Sequence, residues 1–191
     1  MGLEAANIYL TGFMGAGKTS VGRLLATELG ALYYDTDQII IGAQGMSIEE
    51  IFKIRGEEYF RDKETELLRL LGKKTAGTCI ISTGGGIVKR LENRALMSKN
   101  GLVVFLHIST EEACRRLSGV QNRPLLNTPD PIACINELLQ KRRPFYQEAH
   151  ITVETSNITV RETVNKIVSA IGRWKYAGRK EEITGTTRPQ P

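Results

Sequence analysis

Residues 12–19 read Gly-Phe-Met-Gly-Ala-Gly-Lys-Thr, preceded by the apolar run Ile8-Tyr9-Leu10 and followed by Val21, Leu24, Leu25 and Leu29 at helical spacing. A strand that passes through a glycine-rich loop straight into a helix is the opening half of a crossover, so this string commits the chain to a parallel sheet with helices packed on it. The glycines let backbone N–H groups curl round an anion, and the positive end of the following helix adds partial charge at the same point. A P-loop phosphate site is therefore expected over Gly15, Ala16, Gly17, Lys18, Thr19 and Ser20. Lys18 serves as the mobile cation for the outer phosphates and the Thr19 hydroxyl as a ligand to Mg²⁺, which predicts a bound nucleoside triphosphate. A turn that merely joined a strand to a helix would need neither the lysine nor the threonine.

Beyond the loop, short apolar runs alternate with helical patterns to the end, the arrangement of an α/β fold with helices on both faces of a parallel sheet. Five strands are expected, at 7–10, 32–35, 79–82, 102–107 and 151–154. Gly30 is placed to end the first helix. Ser47 with Glu50, Ser109 with Glu112 and Thr159 with Glu162 fit capping boxes, and Asp130-Pro131 supplies a cap followed by proline at the first helical position. The last helix carries Val164, Ile167, Val168 and Ile171 on one stripe. A length of 191 residues with 41% hydrophobic content suits a single domain, taken here as 1–174. From Lys175 the pattern dissolves into Gly, Lys, Arg, Glu, Thr and Pro, and 175–191 is expected to be a disordered tail. The polar stretch 118–131, rich in Asn, Pro and Thr, has the length of a functional lid, placed at about 115–130.

Net charge is +5, with basic residues scattered apart from Arg115-Arg116 and Lys141-Arg142-Arg143. Polyanionic small substrates account for that balance as well as nucleic acid does. Cys79, Cys114 and Cys134 are odd in number and form no C-x-x-C pair, which reads as reduced thiols in a cytoplasmic protein. No run approaches a membrane span and no signal-peptide pattern opens the chain, so neither a membrane nor a nucleic acid is an expected partner.

A P-loop specifies phosphate binding only, and the acceptor must be read elsewhere. The second strand ends in Asp35-Thr36-Asp37, at the carboxyl edge where open α/β sheets bind ligands. If the strand continues through both aspartates they share a direction, with Asp35 near Mg²⁺ and Asp37 reaching a substrate hydroxyl. A helix cap explains either aspartate alone but not readily both. The third strand runs into Thr83-Gly84-Gly85-Gly86, whose backbone freedom is costly unless a ligand or chain must approach closely.

Taken together, the P-loop, Asp35-Thr36-Asp37, Phe60-Arg61-Asp62-Lys63-Glu64, the triple glycine, Arg123-Pro124-Leu125-Leu126 and Arg142-Arg143-Pro144-Phe145-Tyr146 occur in the order and spacing of the shikimate kinase family. The resemblance covers roughly residues 5–172. It implies a three-layer P-loop kinase fold with a five-stranded parallel sheet and a mobile lid, acting as a monomer. It also implies ATP-dependent phosphorylation of the 3-hydroxyl of shikimate on the route to chorismate and the aromatic amino acids. Residues 36–62 would form the substrate-binding region, with Asp37 holding ring hydroxyls and accepting the proton of the attacked one. Arg61 and Arg142 would grip the substrate carboxylate, for which a guanidinium fork is matched where a lysine is not. Arg143 stands beside Arg142, and Arg142 is the one assigned. Gly84, Gly85 and Gly86 would line the substrate, the Gly85 N–H binding it, and Glu64 would hold Arg61 in position. Arg123 would close over the ATP phosphates as a catalytic group, Arg116 would contact the nucleotide, and Asp35 with Thr19 would serve Mg²⁺.

A gluconate or nucleoside monophosphate kinase of the same architecture is the nearest rival, and a non-catalytic nucleotide-binding protein a more distant one. A guanine-reading switch would need an N-K-x-D string, and Asn165-Lys166-Ile167-Val168 lacks its aspartate.

Overall fold

The computed structural model describes residues 7–73, 77–118 and 130–184, with side chains as far as Trp174. Five strands, β1 (Asn7–Thr11), β2 (Leu32–Asp35), β3 (Cys79–Ser82), β4 (Gly101–His107) and β5 (Ile151–Glu154), form one sheet in the order β2-β3-β1-β4-β5. Every pairing is parallel. The strands coincide with the expected runs, β1 and β4 each gaining one residue.

Alternation along β1 explains why its centre, Ile8-Tyr9-Leu10, is apolar. Ile8 and Leu10 point to one face, where α1 (Lys18–Leu29), α6 (Thr110–Leu117) and α8 (Val160–Thr184) bring Val21, Leu25, Ala113, Val164 and Ile167. Tyr9 points to the other, where α4 (Glu57–Gly72), α5 (Leu91–Asn100) and the end of α7 (Pro131–Tyr146) supply Leu68, Leu71, Met97 and Tyr146. A central strand buried on both faces leaves no polar register, whereas the edge strands β2 and β5 are partly exposed. Between β2 and β3, α2 (Thr36–Gln44) and α3 (Ile48–Arg55) fold with α4 round a smaller core of Ile40, Ile51 and Phe60.

A cap forms at all four predicted starts, although at Ser109 the box is half closed because the Glu112 carboxylate is taken by Arg115 and Arg116. Ser47 and Glu50 bond reciprocally, as do Thr159 and Glu162, while Ser109 receives the Glu112 N–H and Asp130 the Ala133 N–H ahead of α7. Gly30 ends α1 in the left-handed conformation at φ 59°. Val164, Ile167 and Ile171 are buried, whereas Val168 lies at the edge of the stripe and is 38% exposed. α8 runs past Lys175 to Thr184, through a stretch whose Lys, Arg and Glu content favours helix. Residues 185–191 of the expected tail lie outside the described residues, as do 119–129 of the expected lid.

One feature of topology locates the site. β1 and β3 are neighbours, yet the chain leaves β1 into α1 on one face and leaves β3 toward α5 on the other. Diverging connections open a crevice at the carboxyl ends of these two strands.

Candidate active site

The loop after β1 forms one wall of that crevice. Gly12, Gly15 and Gly17 have φ of 147°, 80° and 88°, values L-residues rarely adopt, and Gly17 opens α1 with no side-chain cap. A loop alternating in hand directs its amides inward, toward the uncapped helix end. Lys18 Nζ donates to the carbonyls of Gly12 and Phe13 at 2.8 and 3.0 Å, which lays the ammonium along the loop. Ala16 is buried, whereas Thr19 and Ser20 are exposed on the first turn of α1.

Asp35 combines the two roles weighed for it. The strand stops at Asp35, as its expected bounds have it, so the two aspartates do not share a strand; Oδ1 of Asp35 instead caps α2 by accepting the amides of Asp37 and Gln38 at 3.2 and 3.3 Å. A capping aspartate offers the helix a better exit than one more residue of edge strand. Its other oxygen accepts from Thr19 Oγ1 at 3.1 Å and from Tyr33 at 3.2 Å. One carboxylate and one hydroxyl therefore meet at the phosphate loop. No cage of three or more His, Cys, Asp or Glu exists among the described residues. That donor set suits a hard cation whose remaining ligands are phosphate oxygens and water.

The triple glycine forms the opposite wall, tied to β1 by Thr83, whose N–H and hydroxyl both bond the Leu10 carbonyl. It is tied to α2 by the Gly84 N–H on Thr36 Oγ1 at 3.0 Å. Each glycine has its own reason. A β-carbon on Gly84 would fall 2.5 Å from Asp37 Oδ1 and 2.8 Å from Glu64 Oε1; one on Gly86 would fall 2.5 Å from Arg61 Nη2. At Gly85 it would meet only ordinary contacts, the nearest at 3.5 Å. So Gly84 and Gly86 make room for side chains of the site, and Gly85 contributes its backbone.

Arg61 lies on the inner face of α4, 8% exposed, above the rings of Phe60 and Phe52. Its Nε and Nη2 donate to Glu57 Oε1 at 3.1 and 2.9 Å, and its Nη1 to Glu64 Oε2 at 2.7 Å. Glu64 thus stands where the resemblance put it. Glu57, one turn earlier, was not foreseen, although its i, i+4 spacing to Arg61 was legible. Lys89 also bonds Glu57 and, with Arg61, brings its carboxyl down to about 2. Glu64 behaves oppositely: burial pushes it up to about 7 against the pull of Arg61.

Arg142 converges on the same loop from α7. It is 8% exposed and bonds the Gly85 carbonyl at 3.3 Å, while Arg143 is exposed, which settles which of the adjacent arginines faces inward. Tyr146, one turn on, donates to the same carbonyl at 2.5 Å. Burial raises the phenol to about 12, so it remains a hydrogen-bond donor.

On the nucleotide side, Arg116 is more than an exposed helix charge. It donates to the carbonyls of Gly15 at 3.1 Å and Thr155 at 2.8 Å, and its Nε is held by buried Glu112 at 2.7 Å. It joins the phosphate loop to the connection after β5. Arg123 lies outside the described residues.

A phosphate loop and a pocket of two buried arginines and an aspartate, facing each other across a switch point, define a small-molecule kinase of the P-loop class. The family model of shikimate kinase matches residues 14–172. A shikimate kinase of Marinomonas sp. (strain MWYL1) is 41% identical over 172 residues, covering 90% of this chain and 94% of that protein. The solved shikimate kinase from Acinetobacter baumannii in complex with shikimate has a TM-score of 0.82 at 40% identity, over 87% of this chain and 92% of that one. A gluconokinase from Sinorhizobium meliloti 1021 shares the fold, with a TM-score of 0.58 at 17% identity over 93% and 98% of the two chains. The chain belongs to the shikimate kinase family.

Proposed function

We propose that this protein transfers the γ-phosphoryl group of ATP to the 3-hydroxyl of shikimate, giving ADP and 3-phosphoshikimate. The observation that carries the reading is the pair Arg61 and Arg142, both 8% exposed, converging on the triple glycine with Asp37 beside it and the phosphate loop opposite. Two guanidinium groups suit a carboxylate, and an aspartate beside them suits a ring hydroxyl.

In this reading the loop amides from Gly15 to Ser20 and the Lys18 ammonium hold the outer phosphates. Thr19 and Asp35 would hold Mg²⁺, which would neutralise charge on the phosphate oxygens. Arg61, Arg142 and the Gly85 N–H fix the substrate carboxylate, with Gly84 and Gly86 lining the ring, so that the hydroxyl is presented in line. The hydroxyl oxygen forms a bond to the γ-phosphorus as the bond to the β,γ-bridging oxygen breaks, and the proton passes to Asp37. Because the transition state is loose, the aspartate steers more than it pulls. Arg116 orders the nucleotide side, and Arg123 neutralises the transferred group and excludes water.

The test is ADP release from Mg-ATP with shikimate, gluconate, AMP or no acceptor. Release that depends on shikimate is expected. Release with another acceptor, or equally with none, would overturn the acceptor assignment.

A further inference from the structure

Glu64 does more than hold Arg61. It is fully buried, and only Oε2 is used by the arginine; Oε1 has no hydrogen-bond donor among the described residues. That oxygen and Asp37 Oδ1 crowd the same point beside Gly84. An ionised carboxylate with an unsolvated oxygen next to a second carboxylate is costly, and a proton on that oxygen removes both the desolvation and the repulsion.

The charges around it point the same way. From its own helix Glu64 faces Arg61, which is already shared with Glu57, itself balanced by Lys89 from the 3-10 turn Ile87–Lys89. Arg90, ahead of α5, is engaged by Glu58 and Asp62 at the rim. From α2 comes Asp37, and from α7 come Arg142, directed at the Gly85 carbonyl, and the un-ionised Tyr146. A substrate carboxylate on Arg61 adds one more negative charge to a group of carboxylates that Arg61 alone does not balance.

Resting on the shikimate reading, we propose that Glu64 takes up a proton on Oε1 as the substrate carboxylate docks on Arg61 and Arg142, so that substrate binding and proton binding are linked. Oε2 remains the acceptor for Arg61 throughout. The carboxyl, held by burial at about 7, is poised for this. Near neutral pH the free site is about half protonated, and the arriving anion completes the protonation.

The experiment is calorimetric titration of shikimate into the full chain at pH 6, 7 and 8, in buffers of different ionisation enthalpy, which gives the protons bound per substrate. The wild type is expected to take up about half a proton at pH 7 and more at pH 8, and to lose about tenfold in affinity from pH 6 to pH 8. Glu64→Gln keeps an oxygen for Arg61 and cannot titrate, so its uptake from this group vanishes and its affinity stays level. A residue that only held Arg61 would change affinity by the same factor at every pH. No uptake by the wild type, or equal uptake by wild type and Glu64→Gln, overturns the proposal. If shikimate neither binds nor stimulates ADP release at any of these pH values, the functional reading fails, and the proposal with it.

Discussion

Substituting Gly86 by alanine isolates the placement of Arg61 from every other property of the site. Gly86 has φ −99° and ψ −7°, on the negative-φ side open to alanine, so the change does not force a left-handed backbone on an L-residue. Its only consequence is the added methyl group, whose carbon would lie 2.5 and 2.6 Å from the two terminal nitrogens of Arg61 and 2.7 Å from the carbon between them. The guanidinium has no easy retreat: Glu57 and Glu64 hold all three nitrogens, and the Phe60 ring lies beneath it. It must therefore leave the position from which, in the proposed reading, it meets a carboxylate. Losing one charge-assisted contact costs about 1.5–3 kcal/mol, or roughly 10- to 150-fold in the KM for shikimate. The KM for ATP is expected to stay within about twofold, because uniform loss on one substrate leaves the other untouched. Steady-state kinetics with each substrate varied in turn, alongside a thermal melt to confirm folding, reads this out. A double-mutant cycle sharpens it: once Arg61→Ala has removed the collision partner, Gly86→Ala should add almost nothing. Full additivity, or an unchanged KM for shikimate in a folded Gly86→Ala protein, would refute the argument that this glycine exists to seat Arg61.

Other expectations follow from the same geometry. Glu64 is raised from 4.5 to about 7 in the folded chain, so its stabilisation is complete below pH 4.5 and is lost as pH rises through 7. Relative to Glu64→Gln at each pH, the wild type should lose about 3 kcal/mol between pH 4 and pH 8 in urea denaturation, and a constant difference would contradict the burial argument. Tyr146→Phe removes the 2.5 Å bond to the Gly85 carbonyl and should cost about 1–2 kcal/mol of stability and raise the KM for shikimate. Its alkaline pH profile should match the wild type, because a phenol at about 12 does not titrate in the assay range. Asp37→Asn should lower turnover by at least about a hundredfold while ADP binding, measured by calorimetry, is retained. Glu112→Ala frees Arg116 and should raise the KM for ATP severalfold without moving that for shikimate.

How much of this could be read in advance depends on whether a residue answers to one physical demand or two. The central strands were legible because burial on both faces leaves mostly apolar residues between their turns. The caps were legible because Ser47 with Glu50 and Thr159 with Glu162 satisfy each other locally. Each role of Asp35 was legible but their combination was not, because it is at once the last residue of β2, the cap of α2 and the partner of Thr19. Periodicity cannot assign a residue claimed by two elements. The triple glycine was recognised as a close approach, but which glycine yields to which side chain depends on Asp37, Glu64 and Arg61 arriving from other parts of the chain. Long-range juxtaposition of that kind leaves no local trace.

Arg142 and Arg143 show a case where the trace existed. Ile135, Arg142 and Tyr146, spaced by seven and four, are the buried positions of α7, and Leu138 and Leu139 pack against the same side. Arginine on the apolar stripe of an otherwise amphipathic helix is expensive unless a partner waits for its charge. The stripe alone therefore marks Arg142, and not its neighbour, as the residue that faces an acceptor. That logic extends to α4, where Phe60, Glu64, Leu68 and Leu71 line the buried face and Arg61 and Thr65 sit among them. Charged residues on buried stripes, one from the segment between β2 and β3 and one from α7, meet at the same three glycines. In the proposed reading the sheet supplies the phosphate loop, and these two stripes select the acceptor. Exchanging Arg142 for lysine tests this: it keeps the charge but loses the planar fork, and should raise the KM for shikimate about tenfold or more, whereas Arg143→Lys should leave both KM values unchanged. Equal effects at the two positions would show that charge near the crevice, not the stripe, selects the substrate.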